Sequence, residues 1–212
     1  MPYEPQILSY DELRHHAEEF LAENHPESSI PIPIEEIVEF DFKMEIIPVP
    51  GLKDEIGVDA FLASDMSSVF IDEFVLQFVN VRYRFSLAHE IGHYWLHEDL
   101  YQAVAIGSVA DWKRVQADIG DEYQWFEFQA NAFAGLVLVP PVALKARFIR
   151  RVEEAKAAGL DHASLLRHPL RHRMVEGLAG EFVVSEQTMA IRLEKDGLLP
   201  PLIQSRVPPA GD

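Results

Sequence analysis

Residues 89–93 of this 212-residue chain read H-E-x-x-H, a spacing that can hold a metal ion. On an α-helix His93 lies about 40° around the axis from His89 and one turn along, so both imidazoles can bind one ion. Glu90 flanks the same side, where its carboxylate can accept a proton from a water that the ion acidifies. The pattern therefore predicts metal-assisted hydrolysis.

A hydrolytic zinc site usually has three protein ligands and a water, so the two histidines need a partner. We predict that Glu127 is this third ligand. It shares one face of a second predicted helix with Asn131, and neighbouring alanines would let the two helices approach closely. The Asn131 amide could hydrogen-bond a ligating imidazole and fix its tautomer. Glu122 is the rival in the sequence, although it lies at or before the start of the helix and lacks a paired amide.

Composition narrows the kinds of site and partner. The chain has no cysteine, which excludes disulfides, thiolate metal sites and a cysteine nucleophile, so histidine and carboxylate must hold any metal. It has no signal-peptide pattern and no run of 18 apolar residues, which favours a cytoplasmic protein without membrane contact. The net charge is −17, and residues 1–80 carry −15, from 18 acidic and three basic side chains. Direct binding to nucleic acid is therefore not expected, despite the basic stretch 145–173.

Hydrophobic periodicity and capping signals predict the elements that must position these residues. Ser9 and Glu12 form a capping-box pattern that starts a first helix, and a short helix follows over 34–40. Strands over 43–49, 56–63 and 67–72 predict a small, mostly antiparallel sheet. Helices follow over 80–97, 122–139 and 142–158, and a last helix begins near Ser185 and ends at Gly197.

This order of elements predicts an α+β fold. We expect one domain over residues 1–141, a helical C-terminal portion over 142–200 packed on it, and a flexible tail over 201–212. The sheet would offer an edge along which an extended polypeptide could pair as an added strand.

Two segments, RFSLAHEIGHYWLH (84–97) and EFQANAFAGLVLVP (127–140), resemble the ImmA/IrrE family of bacterial metallopeptidases, relatives of the gluzincins. The resemblance extends over roughly residues 30–199. It implies a zincin-like metallopeptidase domain in which His89, His93 and Glu127 bind the metal and Glu90 is the general base and general acid. Asn131 matches the small polar residue that follows the ligand glutamate in the family. The ligand set favours Zn²⁺, and Mn²⁺ or Fe²⁺ would fit similar ligands.

Members of this family cleave helix-turn-helix (Xre-like) transcriptional repressors, and so relieve repression of mobile elements or stress responses. The resemblance thus implies a metal-dependent endopeptidase with such a repressor as its protein substrate. In fused members a helix-turn-helix module precedes the peptidase part, and we expect none before it here. The alternative is a regulatory binding protein that sequesters a repressor without proteolysis. A broad secreted protease is a weaker third hypothesis.

Several roles stay open between candidates. His97 could border the site, but the preference for a cation at a helix C-terminus favours a role as helix cap. The group that stabilises the oxyanion of the reaction could be any of four residues, Tyr94, Tyr101, His172 or Arg173. Residues 183–199 have the look of the second helix of a helix-turn-helix, and a small helix that closes the core is the simpler interpretation.

Overall fold

The computed structural model describes residues 7–103, 123–167 and 169–200, which form a predominantly helical fold around a three-stranded sheet. The strands are β1 (Glu45–Val49), β2 (Ala60–Leu62) and β3 (Ser68–Asp72). The N-terminal helices are α1 (Tyr10–Asn24), α2 (Ile34–Glu36, continued by a π-helical turn, Ile37–Asp41), α3 (Leu52–Ile56) and α4 (Glu73–Phe78). The later helices are α5 (Asn80–Leu96), α6 (Glu98–Ala103), α7 (Tyr123–Leu138), α8 (Pro141–Ala157), α9 (His162–Leu165), α10 (Leu170–Phe182) and α11 (Glu186–Lys195).

The sheet is mixed, with strand order β1-β3-β2. β3 pairs in parallel with β1, Glu45 opposite Ser68, and antiparallel with β2, Ala60 opposite Ile71. The α+β fold and the small sheet are confirmed, but only one of the two strand pairs is antiparallel. A meander would place β2 in the centre. Here the chain crosses over through α3 instead, and β3 takes the central position.

The second strand begins later than the sequence predicts, at Ala60 rather than residue 56. Residues 52–56 form the helical turn α3, bracketed by Gly51 (φ 71°) and Gly57 (φ 80°). Both φ values lie in the left-handed region, which glycine adopts without steric cost. The two glycines therefore allow a tight helical turn that takes in residue 56, so the predicted strand cannot begin there.

The predicted helix ends agree with the structure to within a residue or two. The capping box is confirmed, because Glu12 Oε2 accepts from the Ser9 backbone N–H at 2.7 Å and Ser9 Oγ accepts from that of Glu12 at 3.3 Å. Ser185 caps α11 by accepting from the Thr188 backbone N–H at 3.1 Å. Local signals thus define both the first and the last helix.

The helical C-terminal portion shares one hydrophobic core with the N-terminal elements. Arg192 in α11 is 1% exposed as a residue, and its side chain donates to the Val139 carbonyl and the Asp196 carboxylate. Asp196 also pairs with Arg14 of α1 at 2.7 Å. The boundary at residue 141 stays a prediction, and the predicted tail, 201–212, lies outside the described residues.

No single helix among the described residues is long and apolar enough to cross a membrane. One bent pair, Gln124–Leu138 with Pro141–Ala157, meets the length and composition criteria only when the two helices are taken together.

Helices α5 and α7 approach each other closely at Gly92, one residue before His93. A Cβ atom at position 92 would lie 3.1 Å from both the Cα and the carbonyl oxygen of Ala130 and 3.3 Å from a ring carbon of Phe133. Two of these neighbours are backbone atoms, which cannot rotate away. Gly92 therefore permits the helix spacing on which the site described below depends.

We expect Gly92→Ala to lower the free energy of unfolding by up to about 2 kcal/mol, because overpacking costs about 1–3 kcal/mol and alanine regains about 1 kcal/mol of helix propensity. Gly180→Ala is the matched control. Gly180 also lies in a helix, α10, but nothing lies within 4 Å of a Cβ there, so alanine should stabilise by about 0.5–1 kcal/mol. Urea unfolding of both metal-free variants measures the difference. Equal stabilities would contradict the close approach.

Candidate metal centre

Helices α5 and α7 bring the three predicted ligands together. His89 and His93 lie one turn apart on α5, and Glu127 faces them from the first turns of α7. The two Nε2 atoms are 3.1 Å apart. Glu127 Oε2 is 3.4 Å from His89 Nε2, and its Oε1 is 3.3 Å from His93 Nε2. Side chains that helical periodicity places on one face of each helix therefore meet at one position between α5 and α7.

These separations fit a tetrahedral ion. Two ligand atoms that each lie 2.0–2.1 Å from zinc in a tetrahedron are about 3.3 Å from one another. The three measured separations lie at 3.1–3.4 Å. Two imidazole nitrogens and a carboxylate are also donors that Zn²⁺, Mn²⁺ and Fe²⁺ accept. The donor set and its spacing thus fit a divalent metal.

The second nitrogen of each imidazole has its own partner. Nδ1 of His89 lies 3.2 Å from Oδ1 of Asn131, and Nδ1 of His93 lies 2.9 Å from Nδ1 of His97. With the amide oxygen as acceptor, the proton of His89 is on Nδ1 and the Nε2 lone pair is left for an ion. The structure thus places Asn131 where the sequence predicts a partner for a ligating imidazole.

The ionisable groups of this cluster shift one another's pKa values. Burial alone would raise the pKa of Glu127, but hydrogen bonds and charges from His89 and His93 outweigh it and hold that pKa far below its usual range. Burial would lower the pKa of His89, yet Glu127 and Glu90 raise it above the ordinary value. As metal ligands both imidazoles would be neutral, and a divalent ion would then offset the negative charge of the two carboxylates.

Glu90 lies beside the three ligand atoms and is 4% exposed. Burial raises its pKa, against the opposing charges of His89 and His93 and a hydrogen bond from the Leu62 backbone of β2. The carboxylate is thus held between the candidate ligands and the edge of the sheet. This position suits a group that takes up and returns a proton.

The cluster opens into a cleft of about 260 Å³. In the lining of this cleft Asp59 pairs with Lys53, 2.9 Å from Nζ to Oδ1, and with Arg82. None of these three residues is predicted from the sequence as part of the site. The helical repeat could have indicated Arg82, since it stands seven positions before His89 and therefore on the same helix face. Lys53 and Asp59 reach the cleft only through tertiary structure.

Of the four candidates for oxyanion stabilisation, Tyr101 lines the cleft, and its ring centroid is 5.8 Å from that of His93. Tyr94 packs on Phe42 instead, with centroids 4.9 Å apart. His172 and Arg173 lie on α10 and are not among the cleft residues. Glu122, the rival third ligand, lies outside the described residues.

His97 is the C-cap residue of α5, as predicted, but its predicted positive charge there is wrong. His97 does follow the last residue of α5, but its side chain turns inward and is 4% exposed as a residue. Burial, together with the charge of His93, lowers its pKa to about 2, so the ring is neutral and brings no positive charge to the helix dipole.

Comparisons with known proteins agree with the fold. No curated protein matches the chain. A solved structure named "Mycobacterium tuberculosis transcriptional regulator" is similar, with a TM-score of 0.52 and 18% identity. The match covers 86% of this chain and 46% of that one, so this chain spans less than half the length of the regulator.

The family model described as the IrrE N-terminal-like domain, Peptidase M78, matches residues 80–194. That span is more than half of the chain and contains both metal-site helices, α5 and α7. The chain therefore belongs to the M78 peptidase family, with an IrrE N-terminal-like domain.

Proposed function

We propose that this protein is a zinc-type metalloendopeptidase that cleaves a helix-turn-helix repressor and thereby relieves transcriptional repression. The observation that carries the proposal is the close grouping of the ligand atoms, in which the two Nε2 atoms lie 3.1 Å apart and each lies 3.3–3.4 Å from one oxygen of Glu127. A buried carboxylate lies beside this group in an open cleft. Membership of the M78 family supports the peptidase activity. If the substrate is a repressor, the protein would act in the cytoplasm. Cleavage would then change gene expression, for example in a stress response.

In this proposal His89, His93 and Glu127 hold the ion. When bound, the ion would act as a Lewis acid that polarises the peptide carbonyl and acidifies a water. Glu90 accepts the proton of the attacking water and then delivers it to the nitrogen of the leaving amine. Its carboxylate is suited to both steps because burial raises its pKa towards the working range.

The edge of β2 gives an extended substrate a place to pair. Asp59 and Ala63 bond with β3 through their backbones, at 2.8 Å to Asp72 and 2.9 Å to Ser68. Because backbone groups alternate in direction along a strand, those of Ala60 and Leu62 point to the free edge. Leu62 bonds Glu90, and Ala60 lines the cleft. A substrate strand that pairs at Ala60 would therefore lie beside the metal cluster.

Charge supports a basic protein as the partner. Residues 1–80 carry 18 acidic and three basic side chains, a net charge of −15, and they include α1–α4 and the whole sheet. A DNA-binding repressor carries positive charge where it contacts phosphates. Complementary charge accelerates association and weakens with salt.

The alternative is a regulatory protein that binds a repressor without cutting it. A structural zinc site is usually closed by a fourth protein ligand. Within the described residues the ligand cluster has three members, and a carboxylate suited to proton transfer lies next to it. These features support the enzyme over the binding protein.

The test uses the zinc-loaded full chain and the helix-turn-helix repressor encoded beside its gene. We expect one cleavage site, found by mass spectrometry, with cleavage lost on chelation, restored by Zn²⁺ and slower at high salt. A stoichiometric complex with zinc bound and no cleavage would support the alternative. Cleavage that does not depend on ionic strength would remove the electrostatic role of residues 1–80.

A further inference from the structure

His97 is tied to the proposed ligand His93 at two points. Its backbone N–H donates to the His93 carbonyl at 3.0 Å, and its Nδ1 lies 2.9 Å from the Nδ1 of His93. The side chain is enclosed, with the Phe126 ring edge-on at a centroid distance of 4.8 Å. Both rings are thus fixed relative to each other within a buried environment.

A hydrogen bond between two Nδ1 atoms needs one donor and one acceptor. A neutral imidazole carries one proton, and a ring that gives its Nε2 lone pair to a metal must carry that proton on Nδ1. His93 Nε2 points at the shared ligand position, 3.1 Å from His89 Nε2 and 3.3 Å from Glu127. In the ligating form His93 therefore donates from Nδ1, and Nδ1 of His97 accepts.

We propose that His97 is a positioning residue that fixes the tautomer and ring orientation of His93 for metal binding. This inference rests on the metal site of the proposed function. Asn131 offers the matching acceptor to His89, at 3.2 Å from its Nδ1. Each proposed ligand histidine thus has its own acceptor. The amide of Asn131 on α7 accepts from His89, and the buried imidazole of His97 accepts from His93.

Asparagine and leucine at position 97 separate this role from packing. The two side chains have nearly the same shape, but asparagine places an oxygen where His97 has Nδ1 and leucine places a methyl group there. We expect His97→Leu to weaken Zn²⁺ affinity about 10–100-fold, as loss of a partner behind a metal ligand does, and His97→Asn to stay within about threefold of the parent. Competition with a chromogenic chelator measures both affinities.

Two further measurements exclude a merely structural effect. Thermal unfolding of the metal-free variants should change little between asparagine and leucine. In the zinc-loaded parent labelled with ¹⁵N-histidine, NMR should detect a scalar coupling through the hydrogen bond between Nδ1 of His93 and Nδ1 of His97. Because the coupling is measured in the parent protein, it tests the hydrogen bond between His93 and His97 even if the leucine variant fails to fold.

The proposal is overturned if the zinc-loaded parent lacks this coupling, if His97→Leu retains the parent affinity, or if His97→Asn loses as much as leucine. These outcomes differ from failure of the proposed function. A parent that does not bind zinc removes both proposals, whereas zinc binding that is indifferent to position 97 removes this one alone.

Discussion

Glu90→Gln is expected to abolish peptide cleavage while zinc binding persists. Glutamine has the size of glutamate but cannot accept the proton of the attacking water, and general acid–base catalysis contributes about 10²–10⁴-fold to a rate. The three ligand side chains are unchanged by this substitution. We therefore expect kcat to fall by about 10²–10⁴-fold, and zinc content by elemental analysis to stay at the parent level.

Glu153→Gln provides the matched control, because Glu153 is an exposed residue of α8 that does not line the cleft. The same change in charge should leave cleavage unaltered there. A Glu90→Gln variant that cleaves as fast as the parent would rule out Glu90 as the proton carrier, and the mechanism with it.

Local patterns were sufficient to predict the helices that carry the site. His89 and His93 share a face because four residues make one turn, and Glu127 with Asn131 follows the same rule on α7. Neither relation needs knowledge of distant contacts. Most of the candidate site could be predicted from the sequence for this reason, since each half of the site lies within one helix.

The strand order, the role of His97 and some of the cleft residues depend on tertiary contacts that local sequence patterns do not contain. The order β1-β3-β2 depends on which strand fills the centre of the sheet, and alternation of apolar residues is the same for either order. His97 was assigned to the helix dipole by a local rule, but packing against Phe126 desolvates its ring and makes the charged form unfavourable. Asp59 and Lys53 likewise reach the cleft from elements separate from the motif.

Glu127→Gln is expected to weaken zinc binding strongly. Removal of a residue that hydrogen-bonds a metal ligand costs about 10–100-fold in affinity, and loss of the ligand itself should cost more. Glu127 is the anion among the three proposed ligands and the one that α7 contributes, so without its charge only the two imidazoles of α5 would remain as strong donors. Chelator competition with Zn²⁺ measures the affinity, and circular dichroism checks that the helices are retained.

Asn131→Ala provides an intermediate comparison for the loss of zinc affinity, because it removes only the acceptor 3.2 Å from His89 Nδ1. We expect an intermediate loss, about 10–100-fold, so the order of affinity should be parent, Asn131→Ala, Glu127→Gln. Both residues lie on one face of α7 and differ by one turn, so a general disturbance of that helix would affect both variants alike. If Glu127→Gln binds zinc as tightly as the parent, Glu127 is not the third ligand. Glu122, its rival in the sequence, would then be the residue to substitute next.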